Sequence, residues 1–254
     1  MIKSISFTDY IHCFSYLCVL NTNLTNFKNM EITMYDNLLQ LPLFQGLRKE
    51  DFTTIIEKVK FHFLTYKEGE IIVKQGDLCK QLVFLLNGDM IIQTTDKEQN
   101  YSLAEVINEP YIIEPYSLFG MHPYYTATYR ANKHAKILAI DKSYIFSNLN
   151  NYEIFRLNFL NILSNRCQSS IQKLWSCHMG SLEMKFANFL LQRCQQKNSE
   201  VILQITMEDL ANLINETRIN VSRMLNELQK LGLLQLKRKE IFIPVLDKLT
   251  EHLL

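Results

Sequence analysis

Between Arg218 and Arg223 the chain sets two arginines, an asparagine and a serine within two turns of a prospective helix. An arginine can bond bidentately to a guanine edge and an asparagine to an adenine edge, so this pattern at a helix start suits the reading of bases in a major groove. Arg218, Asn220 and Arg223 are the candidate base-reading residues. Between positions 215 and 239 six Lys and Arg stand against two Glu, and Lys237, Arg238 and Lys239 are consecutive. Such a cationic tip can reach phosphate. Thr206, Thr217, Ser222, Lys237, Arg238 and Lys239 are the candidate phosphate contacts. The 254 residues carry 27 Lys+Arg and 26 Asp+Glu, a formal net charge of only +1. Affinity for nucleic acid must therefore come from this local patch.

Other chemistries find less support. The six His residues (12, 62, 122, 134, 178 and 252) are scattered singly, whereas a metal-dependent site needs several ligands converging on adjacent strands. The six cysteines form no CxxC pair, so free thiols in a reducing cytosol are expected, with no metal and no cofactor. No Ser/His/Asp or Cys/His nucleophile signature appears, and no catalytic residue is assigned. No apolar run approaches the roughly 18 residues needed to cross a bilayer, so a soluble cytoplasmic protein is expected.

The basic patch needs elements to aim it. Thr206 with Asp209 three residues on is a variant capping box. Leu210, Leu213 and Ile214 line one face of a short helix, and Ala211 is small where two helices must approach. Asn215 falls where a tight turn wants a left-handed residue. Thr217 can cap a second helix whose buried face is Val221, Met224, Leu225, Leu228 and Leu231, with Gly232 as its stop. Residues 234–236 and 240–243 read as a hairpin. The competing interpretation is an ordinary helical hairpin with a solvated charged face.

Ahead of this, residues 143–178 contain no Gly or Pro. Leu157, Leu160, Ser164, Cys167, Ile171, Leu174 and His178 follow steps of three and four, a heptad seam that wants a partner helix. A parallel pair across a two-fold axis would make a homodimer; the alternative is a helix packed on its own barrel. The first half has a different period. Residues 35–60 read as helical, with apolar residues recurring at helical spacing on either side of a break at Gly46 and a new helix start at Glu50-Asp51. Short strands punctuated by Gly69, Gly76 and Gly88 then follow, with Asn87-Gly88-Asp89 as the strongest hairpin signal. Such spacing implies a sandwich or barrel that can enclose a ligand. Residues 1–33 look like a disordered, dispensable extension, or one that an over-early start codon adds.

In this order of parts the chain resembles the Crp/Fnr family of bacterial transcription regulators over residues 35–249. The landmarks are Gly69, Gly76 and Gly88, the segment from Glu114 to Gly120, Arg130-Ala131, and the run from Thr217 to Arg223. The resemblance implies an α+β protein with four parts: the extension (1–33), a double-stranded β-helix or jelly-roll sensor (34–142), a long dimerisation helix (143–178) and a winged helix-turn-helix domain (179–254). It further implies a homodimer on palindromic double-stranded DNA that recruits or blocks RNA polymerase and answers to a small-molecule effector. Glu114, Tyr125 and Thr126 mark the effector pocket.

The chain also departs from the family. Cyclic-nucleotide-binding members carry Gly-Glu and then Arg-Ser or Arg-Thr, where this chain has Ile113-Glu114 and Tyr125-Thr126. Without that arginine a cyclic phosphate lacks its main cation, so cAMP is not expected. Cys13 and Cys18 do not reproduce the cysteine cluster of oxygen-sensing members. Arg218-Ile219 replaces a frequent Arg-Glu, so the family's usual operator is not assumed. Two other readings stay open: a metal-dependent cupin-like enzyme, and a cyclic-nucleotide-binding module that does not bind DNA.

Overall fold

Phe44 is the ring on which the first half closes. Phe52 meets it edge to face at 5.7 Å, and Phe61, Phe84 and Phe155 lie within 6.3 Å of it. Each of these rings is exposed by 2% or less. The computed structural model describes residues 38–39, 41–108, 110–175, 180–196 and 198–253. The expectations for residues 1–33, Cys13 and Cys18 included, and for His178 lie outside the described residues, as does the Leu174 side chain.

Helix α1 (Lys49–Lys58) begins where the break at Gly46 and the acidic Glu50-Asp51 pair mark a new helix start. Residues 41–46 form turns, because Pro42 disfavours helical backbone at Leu41 and Gly46 takes φ +83°. The strands β1 (Phe61–Lys67), β2 (Ile71–Val73), β3 (Gln81–Asp96), β4 (Tyr101–Asn108), β5 (Tyr111–Ile113) and β6 (Thr128–Asp141) follow. All their pairings are antiparallel, with β6 between β1 and β3.

The expected hairpin at Asn87-Gly88-Asp89 is instead a bulge inside the single strand β3. Residues Leu82–Leu85 pair with Ile140–Ile137, and Met90–Gln93 pair with Ala131–Thr128, on one continuous partner. Gly88 takes φ +94°, and a Cβ there would stand 2.0 Å from the carbonyl oxygen of His134. Positive φ serves a bulge as well as a turn. The reversal itself occurs between Asp96 and Tyr101, where Asn100 has φ 55°. The β3 partner β6 likewise runs unbroken from Thr128 to Asp141.

The span 143–178 is broken where one helix was expected. α2 (Lys142–Ser147) and a 3-10 turn at Leu149–Asn151 precede α3 (Glu153–Trp175). Leu149 and Phe155 are both buried, yet residues six apart on a helix point about 120° away from each other. The chain must break to bury both.

In the second half, α4 (Leu182–Arg193), β7 (Val201–Gln204), α5 (Met207–Leu213), α6 (Arg218–Lys230), β8 (Gln235–Lys237), β9 (Glu240–Ile243) and α7 (Leu246–Leu253) enclose a separate core. Phe186, Leu190, Val201, Leu210, Val221, Leu225 and Leu249 are each 0% exposed. β4 pairs with β7, so the strands of both halves run on as one nine-stranded sheet among the described residues. Tyr101 and Leu103 of β4 are buried in the second core.

Candidate DNA interface and sensor site

The second half holds α6 by local chemistry first. The Thr206 hydroxyl caps α5 by accepting from Asp209 N at 3.1 Å and donates to the Asp209 carboxylate. The Thr217 hydroxyl caps α6, accepting from Asn220 N at 3.3 Å. Such caps are each worth about 1 kcal/mol. Between them Asn215 takes φ 54°, the left-handed residue expected. Glu216 N donates to Ala211 O at 2.9 Å, with Ala211 3% exposed where the helices meet. Lys185 Nζ of α4 donates to Glu216 Oε1 at 2.7 Å and fixes the turn to the domain. That hydrogen bond holds the Glu216 carboxyl below its usual range.

Val221, Met224, Leu225 and Leu228 bury one side of α6. Arg218 and Arg223 lie exposed, and neither makes a side-chain hydrogen bond or ion pair among the described residues. Asn220 is exposed at the same end but bonds to Glu216. Asn226 donates back to Ser222 O at 2.7 Å. The structure therefore presents the two arginines for outward contact and engages the two asparagines locally.

The hairpin β8–β9 carries the other cations. Gln229 Oε1 of α6 accepts from Leu236 N at 2.9 Å, which ties the wing to the helix. Arg238 and Lys239 are exposed at the tip, and Lys239 takes φ 59°. Lys237 is paired with Glu240 at 2.9 Å. Of the phosphate candidates, Thr206 thus spends its hydroxyl on its cap, Lys237 is half-committed, and Arg238 and Lys239 stand clear.

The sensor site is built the opposite way. Glu114 follows β5 with φ 35° and is 1% exposed. Its carboxylate accepts from Thr126 N at 2.8 Å, Thr126 Oγ1 at 2.9 Å, Ala127 N at 3.0 Å and Ser117 Oγ at 3.0 Å. Two adjacent backbone N–H groups and two hydroxyls make a cradle for an oxyanion. Here the occupant is the chain's own carboxylate. Tyr125 is buried and donates to Gln81 O at 3.4 Å, away from Glu114. Of the residues that the resemblance marks, the structure brings Glu114 and Thr126 together, and it adds Ser117 and Ala127. A backbone donor such as Ala127 N leaves no trace in residue type.

A second cluster was also missed. Tyr111 and Tyr129 are buried and hydrogen-bonded to each other, and burial pushes both phenols upward. Burial, with Glu114 nearby, pushes the Tyr116 phenol up to about 12. Arg166 of α3 lies over the Tyr111 ring at 5.3 Å and donates to Gln195 Oε1 at 2.6 Å. One side chain thus touches the sensor and the segment that follows α4. Nearby, Glu105 of β4 accepts from Gln195 N and Gln196 N at 2.7 Å each, and the Tyr101 hydroxyl accepts from Arg193 Nε at 2.8 Å. The signal for this joint was one acidic residue on the inward face of an otherwise apolar alternation: Tyr101, Leu103, Glu105, Ile107.

Along α3 the inward side is Phe155, Phe159 and Ile162, packed on the barrel. The opposite side leaves Leu157 56%, Leu160 60% and Ile171 48% exposed, with Ser164 and Cys167 exposed between them. Among the described residues no three His, Cys, Asp or Glu gather to hold a metal. No described helix is long and apolar enough to cross a membrane.

Two family models match the chain. The cyclic nucleotide-binding domain covers residues 63–152 and the Crp-like helix-turn-helix domain covers residues 185–252. Among solved structures, the catabolite activator protein of Thermus thermophilus aligns at 20% identity and TM-score 0.47, over 84% of this chain and 97% of that one. A putative crp/fnr-family transcriptional regulator of Eubacterium rectale aligns at 20% identity and TM-score 0.49, over 84% and 97%. The c-di-GMP-responsive global regulator of Xanthomonas campestris aligns at 16% identity and TM-score 0.47, over 76% and 96%. No curated protein matches the sequence.

Proposed function

This chain belongs to the Crp/Fnr family of transcription regulators, and from that premise we propose that it works in the cytoplasm as a homodimer on a palindromic promoter site. Each protomer lays α6 in a major groove, with Arg218 and Arg223 reading bases and Arg238 and Lys239 holding phosphates. The observation that carries this reading is the state of the two α6 arginines. Both are exposed and uncommitted on a helix whose other side is locked into a core. An unpaired arginine fork is suited to a guanine edge, where its donors find acceptors in fixed geometry.

The dimer follows from α3, since its exposed Leu157, Leu160 and Ile171 form a line that a second copy would cover by two-fold symmetry. No catalytic role is assigned, and RNA polymerase is the proposed downstream partner. The sensor half answers to an effector other than cAMP. Glu114 already fills the oxyanion cradle, and Tyr125 stands where a cyclic phosphate would need a cation. Arg166, in contact with both Tyr111 and Gln195, is the side chain placed to transmit that effector's binding.

Selection of bound duplexes from a random pool by the full chain, at one stated salt concentration, tests the reading. Recovery of a palindrome with half-sites about one helical turn apart supports it. Recovery of no preferred sequence at low salt overturns it.

A further inference from the structure

Ile219 is the second residue of α6 and is 71% exposed. At 100° per residue, buried Val221, Met224, Leu225 and Leu228 centre on one side of the helix, and the line through Ile219, Ser222, Arg223 and Asn226 runs along the other. Ile219 therefore sits within the outward face, one turn before Arg223, and not at its margin. Its neighbours there are all hydrogen-bonding side chains. Nothing in the fold uses this β-branched side chain, and exposing it to water gains no stability.

In a major groove the base edges offer hydrogen-bond donors, acceptors and one apolar group, the 5-methyl of thymine. An isoleucine against a donor or acceptor edge strips water from a polar group and returns nothing. Against a thymine methyl, both partners lose only apolar exposure. A helical isoleucine also has one strongly preferred χ1, so little freedom is lost on contact.

We propose that Ile219 is a specificity-determining residue that packs on the 5-methyl group of one thymine in each half-site, beside the base read by Arg223. The inference rests on the DNA-reading assignment of α6 and adds to it the base class that α6 requires at this position.

The test uses the full chain and the duplex recovered by selection. Each thymine is replaced in turn by deoxyuridine, which removes the methyl group and leaves base pairing unchanged, and affinity is measured at fixed salt. At one symmetry-related thymine position, wild-type binding falls about fourfold per methyl lost, while Ile219→Ala binds both duplexes alike. Ile219 is a surface residue, so Ile219→Ala folds as the parent does, which a thermal melt verifies. Equal wild-type affinity for every substituted duplex overturns the proposal, as does an Ile219→Ala protein that keeps the full sensitivity. Those outcomes leave the DNA-reading assignment standing; a selection that recovers no duplex removes both.

Discussion

Glu114 and Arg218 are the charged residues that the family resemblance points to in the two halves, and the fold treats them in opposite ways. Glu114 is 1% exposed and takes hydrogen bonds from Thr126, Ala127 and Ser117. Arg218 is exposed and makes no side-chain bond among the described residues. The candidate sensor site is closed on itself, so any ligand using that cradle must displace an internal carboxylate. The α6 face is held from behind and open in front, so its donors need no rearrangement before contact. A buried polar group stabilises the fold only while its partners stay, whereas an exposed one can be reserved for a partner.

The largest effect that sharpens this contrast is on DNA. Arg218→Ala combined with Arg223→Ala brings operator affinity down to the random-duplex level, on the order of 10³-fold, with unfolding free energy changed by less than about 0.5 kcal/mol. Fluorescence anisotropy and a denaturant titration read the two quantities. A large stability loss here would erase the distinction between the halves.

Next in size is Glu114→Ala, which strands the Thr126 and Ala127 N–H groups and costs about 3 kcal/mol in urea unfolding. A loss below about 0.5 kcal/mol would show that the cradle does not depend on its internal carboxylate.

Replacing Arg238 and Lys239 by Ala weakens binding to every duplex, and the plot of log affinity against log salt becomes shallower by about 1 per residue removed. Sequence preference stays the same, and a changed preference would reassign the wing to base reading.

The smallest effect separates the halves by pH. Burial raises the phenols of Tyr111, Tyr125 and Tyr129 in the folded chain. Their contribution is therefore complete below the ordinary phenol value near pH 10 and is lost as pH rises beyond it through the raised values. All three phenols lie in the first core, so alkaline loosening belongs to the sensor half. Amide exchange that opens α5 and α6 first as pH is raised would contradict this.

The helix-turn-helix was legible because its instructions are short-range. Thr206 and Thr217 cap helices through bonds spanning three residues, and Asn215 supplies its own left-handed turn. The sensor was legible only in outline. Asn87-Gly88-Asp89 carries a turn's chemistry yet forms a bulge, because both flanks found the same partner strand. Glu105 is 1% exposed and accepts from the Gln195 and Gln196 amides, partners about ninety residues away that its residue type does not announce.

By itself, the sequence determined where α5 and α6 begin and which side of α6 carries arginine. Those outcomes depend on groups within about four residues of one another. Tertiary structure alone decided that Glu114 is occupied by donors a dozen residues away, that β4 is shared between two cores, and that α2 and α3 are separate helices. In each case the partner is set by which distant surface reaches the residue first and fits, and residue type records no such distance.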